Sequence, residues 1–114
     1  MVLKTMDSSD KFMRVFVMFD LPTNTKAERA VANQFRGSLL KRGFYRLQYS
    51  VYVKICNGHE SAKNVEKSIE MFVPSKGAVR IMVVTEKQYA AMSVILGPKC
   101  YQESFFENGS ILFF

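Results

Sequence analysis

Asp20 is the residue best placed to do chemistry. It ends the apolar, β-prone run Val15–Phe16–Val17–Met18–Phe19 and is followed by Leu21–Pro22 and then by Lys26 and Arg29. An acid at a strand end beside cationic side chains suits metal and phosphate chemistry. Hydrolysis of a phosphodiester, however, uses several carboxylates around one or two metal ions. Near Asp20 the sequence offers only Glu28, and Thr25 with Glu28 three residues on reads as a capping box that engages that carboxylate. The lone histidine, His59, follows Asn57–Gly58 and reads as a surface residue at a helix start, not a general base. One copy of the chain therefore cannot build a metal site. Two copies related by a two-fold axis near Asp20 would bring two aspartates together, enough for one Mg²⁺ whose remaining ligands are waters and phosphate oxygens. The alternative role for Asp20 is to cap the turn through the Asn24 or Thr25 amides. The residues alone leave both readings open, and with them whether the protein is a Mg²⁺-dependent endonuclease.

The cations point to an anionic partner. Between Leu21 and Ile55 stand seven basic residues against one acid, so the segment alone carries the +6 of the whole chain. Lys26, Arg29 and Arg36 recur with Asn33 at i, i+3, i+7 and i+10, one face of a helix, where they would meet successive phosphates of double-stranded DNA without reading bases. A solvated basic face with no ligand is the plainer reading. Tyr45, Tyr49 and Tyr52 have the chemistry to stack on bases. Two of them share the apolar face of their strand, which favours core packing, and no RNP1-like motif is present.

Arg14–Phe19 reads as a strand buried on both faces. A helix follows from the Thr25 cap, with Ala27, Val31, Phe35 and Leu39 as its apolar stripe, until Gly43. From Tyr45 to Ile55 the residues alternate without a break, and no Gly, Pro or Asn interrupts them, so this stretch reads as one long or bent strand. A second helix carries Ala62, Val65, Ile69 and Phe72 up to Pro74. Ala78–Val84 is a further strand, and Thr85 with Gln88 caps a short third helix carrying Tyr89, Met92 and Leu96. The order is the β-α-β-β-α-β pattern of a ferredoxin-like α+β sandwich, provided the middle region supplies two strands.

At 114 residues, 48% hydrophobic and 23% charged, the chain suits one folded domain over residues 13–97. Residues 1–12 are polar, unlike a secretory signal, and read as a disordered extension; Met13 is an alternative start. No apolar run approaches the ~20 residues of a membrane span. Cys56 and Cys100 lack CxxC partners and read as reduced thiols, which places the protein in a cytoplasm. Residues 98–114 end in Ile111, Leu112, Phe113 and Phe114 after Phe105 and Phe106. Exposed, such a strand invites aggregation, so these six are expected to pair with a sheet edge in a homodimer.

Several motifs in order resemble one family. They are Arg14–Thr23, Thr25, Glu28–Arg29, Leu39–Leu40, Gly43–Phe44, Gln48–Tyr52, Lys76–Gly77 and Val84–Gln88, with the closing hydrophobic strand. Together they resemble the small universal CRISPR adaptation protein, the second CRISPR-associated protein or CRISPR-associated endoribonuclease, in its type II form. The resemblance covers Met13–Phe114. It implies a ferredoxin-like two-fold dimer, a metal-linked role for Asp20, and a C-terminal strand (Ser110–Phe114) that crosses to the other subunit. It also implies a dimer that bridges two dimers of the CRISPR integrase while foreign DNA is captured as a spacer. The runner-up is a stand-alone, toxin-like metal-dependent endoribonuclease of the same fold.

Overall fold

In the computed structural model, which describes residues 11–97, four antiparallel strands form one sheet in the order β2-β3-β1-β4, with helices after β1, β3 and β4. The strands are β1 (Met13–Asp20), β2 (Tyr45–Gln48), β3 (Val51–Cys56) and β4 (Ala78–Thr85). The helices are α1 (Lys26–Lys41), α2 (His59–Glu70) and α3 (Glu86–Ala90). This is the expected ferredoxin-like α+β arrangement, with the extra short helix. Residues 1–10 and 98–114 lie outside the described residues, and with them the expected dimer strand and its residues Phe105, Phe106, Ile111, Leu112, Phe113 and Phe114.

β1 is apolar from Val15 to Phe19 because both neighbours and both faces cover it. Met13, Val15, Val17 and Phe19 face α1 and α2, meeting Phe35, Leu39, Phe44, Tyr52, Ala62 and Ile69. Each fully buried valine in this layer contributes roughly 1.5–3 kcal/mol. On the other face Phe16 joins Val53 and Tyr89, with Met18, Tyr45, Leu47, Val51 and Val84 around them.

The stretch Tyr45–Ile55 is not one strand. It is a hairpin with a turn at Tyr49–Ser50, where Gln48 pairs with Val51. Two features hide it in the sequence. Ser50 adopts φ +63°, a left-handed conformation glycine or asparagine would more often supply, and its carbonyl is held by the Phe19 amide at 3.1 Å. The pairing then slips between Arg46 (opposite Tyr52) and Gln48 (opposite Val51), leaving Leu47 as a bulge. That extra residue restores the faces, so Tyr45 stands opposite Val53 and the alternation runs on as if no turn existed.

The apolar stripe of α1 also differs from expectation. Phe35 and Leu39 are buried with Ala32, while Ala27 and Val31 are exposed, Val31 by 44%. Residues four apart advance about 40° around a helix at each step, so a 27-31-35-39 row winds off the sheet. Ala32–Phe35–Leu39 stays on it. The Ala62–Phe72 stripe of α2 holds, with Ala62 and Ile69 buried and Val65 and Phe72 packed at its margin. α3 ends at Ala90, earlier than its apolar spacing suggested, and Met92 and Leu96 are exposed.

Candidate functional site

Asp20 is the exposed last residue of β1, opposite Ala78 of β4. The chain beyond it is fastened tightly. Glu28 Oε1 accepts from the Asn24 and Thr25 amides, each at 3.0 Å, and Thr25 Oγ1 accepts from the Glu28 amide at 3.0 Å. The capping box is therefore present, and Glu28 is a structural acid. Arg29 Nη1 donates to the Thr23 carbonyl at 3.1 Å and braces the same loop. Across from it, Gly77 has φ +98°, and a Cβ there would stand 2.6 Å from the Asp20 carbonyl oxygen and 2.9 Å from Leu21 Cδ2. Only glycine lets the β4 entry lie this close to Asp20.

Among the described residues no three His, Cys, Asp or Glu side chains gather as a metal site. Between β1 and α1 the carboxylate left unengaged is that of Asp20, since Glu28 is held by the cap. That fits Mg²⁺ only where a second carboxylate comes from another subunit and water or phosphate completes the shell. His59 is exposed at the start of α2, just beyond Cys56. Cys56 pairs with Met13, so His59 lies toward the end of β1 opposite Asp20.

Lys26 and Arg29 are exposed on α1, but Arg36 is half-buried and engaged. Its Nη1 donates to Asn33 Oδ1 at 3.2 Å and its Nη2 to the Tyr49 hydroxyl at 3.3 Å. The guanidinium lies 5.2 Å from the Tyr49 ring centroid and 5.6 Å from that of Phe19. The basic segment is not a single face. Arg42 stacks on Phe72 at 4.2 Å, and Lys54 Nζ donates to the Arg42 carbonyl at 2.6 Å, so both serve the C-terminal end of α1. The three tyrosines part company. Tyr52 is in the helix-side core, Tyr45 is half-buried, and Tyr49 stands 73% exposed at the hairpin tip, against the core packing expected of it.

The family profile described as CRISPR associated protein Cas2 matches residues 13–92, which is most of the chain. The chain belongs to the Cas2 family. Curated relatives agree. It is 45% identical over 94 residues to a Campylobacter jejuni protein, covering 82% of this chain and 66% of that one, just under two thirds of its length. It is 48% identical over 87 residues to one from Ligilactobacillus salivarius, covering 76% and 86%. A third, from Acidovorax ebreus, is 42% identical over 91 residues, covering 80% and 89%. All three carry the name CRISPR-associated endoribonuclease Cas2.

This Cas2 chain also holds a charged cluster that sequence reasoning missed. Arg14 is fully buried in β1, and Glu86, 4% exposed, begins α3. Arg14 Nε and Nη2 donate to the two Glu86 carboxylate oxygens at 2.6 and 2.7 Å. Arg14 Nη1 donates to the Tyr45 hydroxyl, which lies 2.7 Å from that of Tyr89, and the guanidinium sits 4.0 Å from the Tyr89 ring centroid. Burial opposes the Arg14 charge, yet the hydrogen bonds of Glu86 and the electrostatic contributions of Tyr45, Glu86 and Tyr89 together outweigh it and hold the guanidinium pKa above its ordinary value. The available signals were an arginine opening an apolar run and the acid after Thr85. Seventy-two residues separate them. In this Cas2 chain, as far as described, no helix is long and apolar enough to cross a membrane.

Proposed function

We propose that this chain acts in CRISPR spacer acquisition as a homodimer that bridges two integrase dimers and holds double-stranded foreign DNA along the basic faces of α1. Family membership supports the CRISPR setting. The observation that carries the nucleic-acid reading is one end of the sheet: an exposed Asp20 beside an α1 face presenting Lys26 and Arg29, with Arg36 further along. Lys26 and Arg29 meet phosphates, and Arg36 contributes charge while fixed to the hairpin. The crossing of Ser110–Phe114, with Phe105 and Phe106, onto the partner rests on the apolar sequence of that tail. A two-fold pair of Asp20 carboxylates would hold one Mg²⁺, which when bound would supply an activated water for phosphodiester cleavage.

Lys26→Glu is the cleaner probe of the DNA track, because Arg29 also braces the loop. The expected result is weaker duplex binding at low salt and a shallower salt dependence; an unchanged slope removes α1 from the interface. Deleting residues 110–114 should give a monomer by sedimentation, and a truncated chain that stays dimeric rules out the crossing strand. Capture of spacer-length duplex with the integrase is then compared for intact and Asp20→Ala protein. Equal capture makes Asp20 dispensable for bridging.

A second reading, metal-dependent endoribonuclease activity, is favoured by the names of the relatives and by the open position of Asp20. It requires that Asp20→Ala abolish Mg²⁺-dependent cleavage while sparing binding. Cleavage that survives the substitution belongs to a contaminant or another site.

A further inference from the structure

We infer that Tyr49, seated on Arg36, is a stacking platform for an unpaired nucleobase at the Asp20 end of the sheet. This rests on the reading above that the chain handles nucleic acid, and it names the form of nucleic acid this end takes.

Exposure is the first observation. An aromatic ring carries a large apolar surface, and Tyr52 and Phe44 a few residues away are buried, yet Tyr49 is 73% exposed. The left-handed Ser50 turn places it at the tip of the hairpin, outside both cores. Support is the second. Arg36 holds the phenol by its hydroxyl and lies beside the ring, and is itself positioned by Asn33 Oδ1 and the Phe19 ring. The ring is thus oriented before any ligand arrives, which lowers the entropic cost of stacking.

Charge and place complete the argument. Arg36 lies beside the ring, Arg46 stands three residues before it, and the hairpin Tyr45–Cys56 carries no acid, so the field at its tip favours a polyanion. The Ser50 carbonyl accepts from the Phe19 amide at 3.1 Å, which fastens the tip to the residue before Asp20. An exposed aromatic among cations is how single-stranded nucleic acid is gripped, since every base offers a π-face regardless of sequence. Bases within a duplex are already stacked and offer none at the side. By strand alternation Asp20 faces away from Phe19, hence away from the Arg36–Tyr49 pair. A strand stacked on Tyr49 therefore passes around the end of β1 to bring a neighbouring phosphodiester toward Asp20. The ligand is an unpaired nucleotide, whether in a free single strand or at the frayed end of a duplex.

The test uses the full chain and 2-aminopurine placed in three probes: a single-stranded 12-mer, a duplex with unpaired 3′ ends, and a blunt duplex. Binding should quench 2-aminopurine in the first two when it is unpaired. Tyr49→Ala should weaken single-strand affinity about tenfold or more and abolish the quench, while Tyr49→Phe keeps both within about threefold and blunt-duplex binding is unchanged. Loss confined to one of the first two probes identifies which source of unpaired base is bound. Tyr49→Ala that binds and quenches like the parent protein, weakens blunt duplex equally, or changes oligomeric state overturns the platform. If the parent protein binds none of the probes, the nucleic-acid reading falls as well. Asp20→Ala should leave the quench intact, so a failed cleavage site and a failed platform give different results.

Discussion

The two ends of β1 handle charge in opposite ways. At the Arg14 end everything is closed. Arg14 is enclosed by Glu86, Tyr45 and Tyr89, the Glu86 amide donates to the Phe12 carbonyl at 3.1 Å, and Cys56 is buried opposite Met13. At the Asp20 end the backbone is fastened but the side chains are left in water: an exposed carboxylate, a turn that only Gly77 can make, and an aromatic ring at the hairpin tip. Arg14, whose guanidinium pKa its partners hold up, lies at the closed end, where those partners occupy it and leave nothing for a substrate. Perturbation here marks a fastening, and reactivity is to be sought at the end where charge is left in water.

The largest expected effect is at the closed end. Glu86→Ala strands a buried guanidinium and should cost about 3–5 kcal/mol in urea unfolding, with much of the loss recovered when Arg14→Met is added. A loss below about 1 kcal/mol would mean that the cluster is wet. Tyr45→Phe removes the hydroxyl between Arg14 and Tyr89 and should cost about 1–3 kcal/mol by the same measurement. At the open end, Thr25→Ala removes half a capping box and should cost about 1 kcal/mol, seen as a lower urea midpoint. Asp20→Asn should change stability by less than about 0.5 kcal/mol while abolishing Mg²⁺-dependent cleavage; a large stability loss would turn Asp20 into a cap and erase the contrast.

The smallest effect concerns pH. Burial raises the Cys56 thiol pKa, only partly offset by the Lys54 charge and a hydrogen bond with Ser61. The folded chain then keeps this proton to higher pH than the unfolded chain, whose thiol titrates near about 8.5. Its contribution is intact below that pH and is lost as pH rises toward the folded value. Cys56→Ala should therefore flatten the alkaline fall in stability, compared as slopes across pH in urea titrations.

Local signals were legible and long-range ones were not. Both capping boxes, Thr25 with Glu28 and Thr85 with Gln88, lie within four residues and could be read directly. So could the double-sided burial of β1, because a short, near-continuous run of β-prone apolar residues has no polar face to turn toward water. The Arg14–Glu86 pair depends on the register that sets Met13 opposite Thr85, which no local pattern encodes. The exposure of Tyr49 was lost with the hairpin, since a serine in a left-handed turn held by a tertiary hydrogen bond leaves no compositional mark. Asp20 was identifiable as an acid at a strand end.

The bulge at Leu47 sets which face each β2 side chain takes. Were the bulge closed so that Leu47 paired with Tyr52, Arg46, not Tyr45, would stand opposite Val53 and turn a guanidinium toward Phe16 and Tyr89. An insertion in β2 would transpose the faces in the same way, whereas the exposed Ser75–Lys76 stretch before β4 carries no such reading frame. Natural insertions should therefore collect between α2 and β4 and be absent from β2, so that the hairpin behaves like a word that admits no extra letter in a text whose spacing is otherwise free.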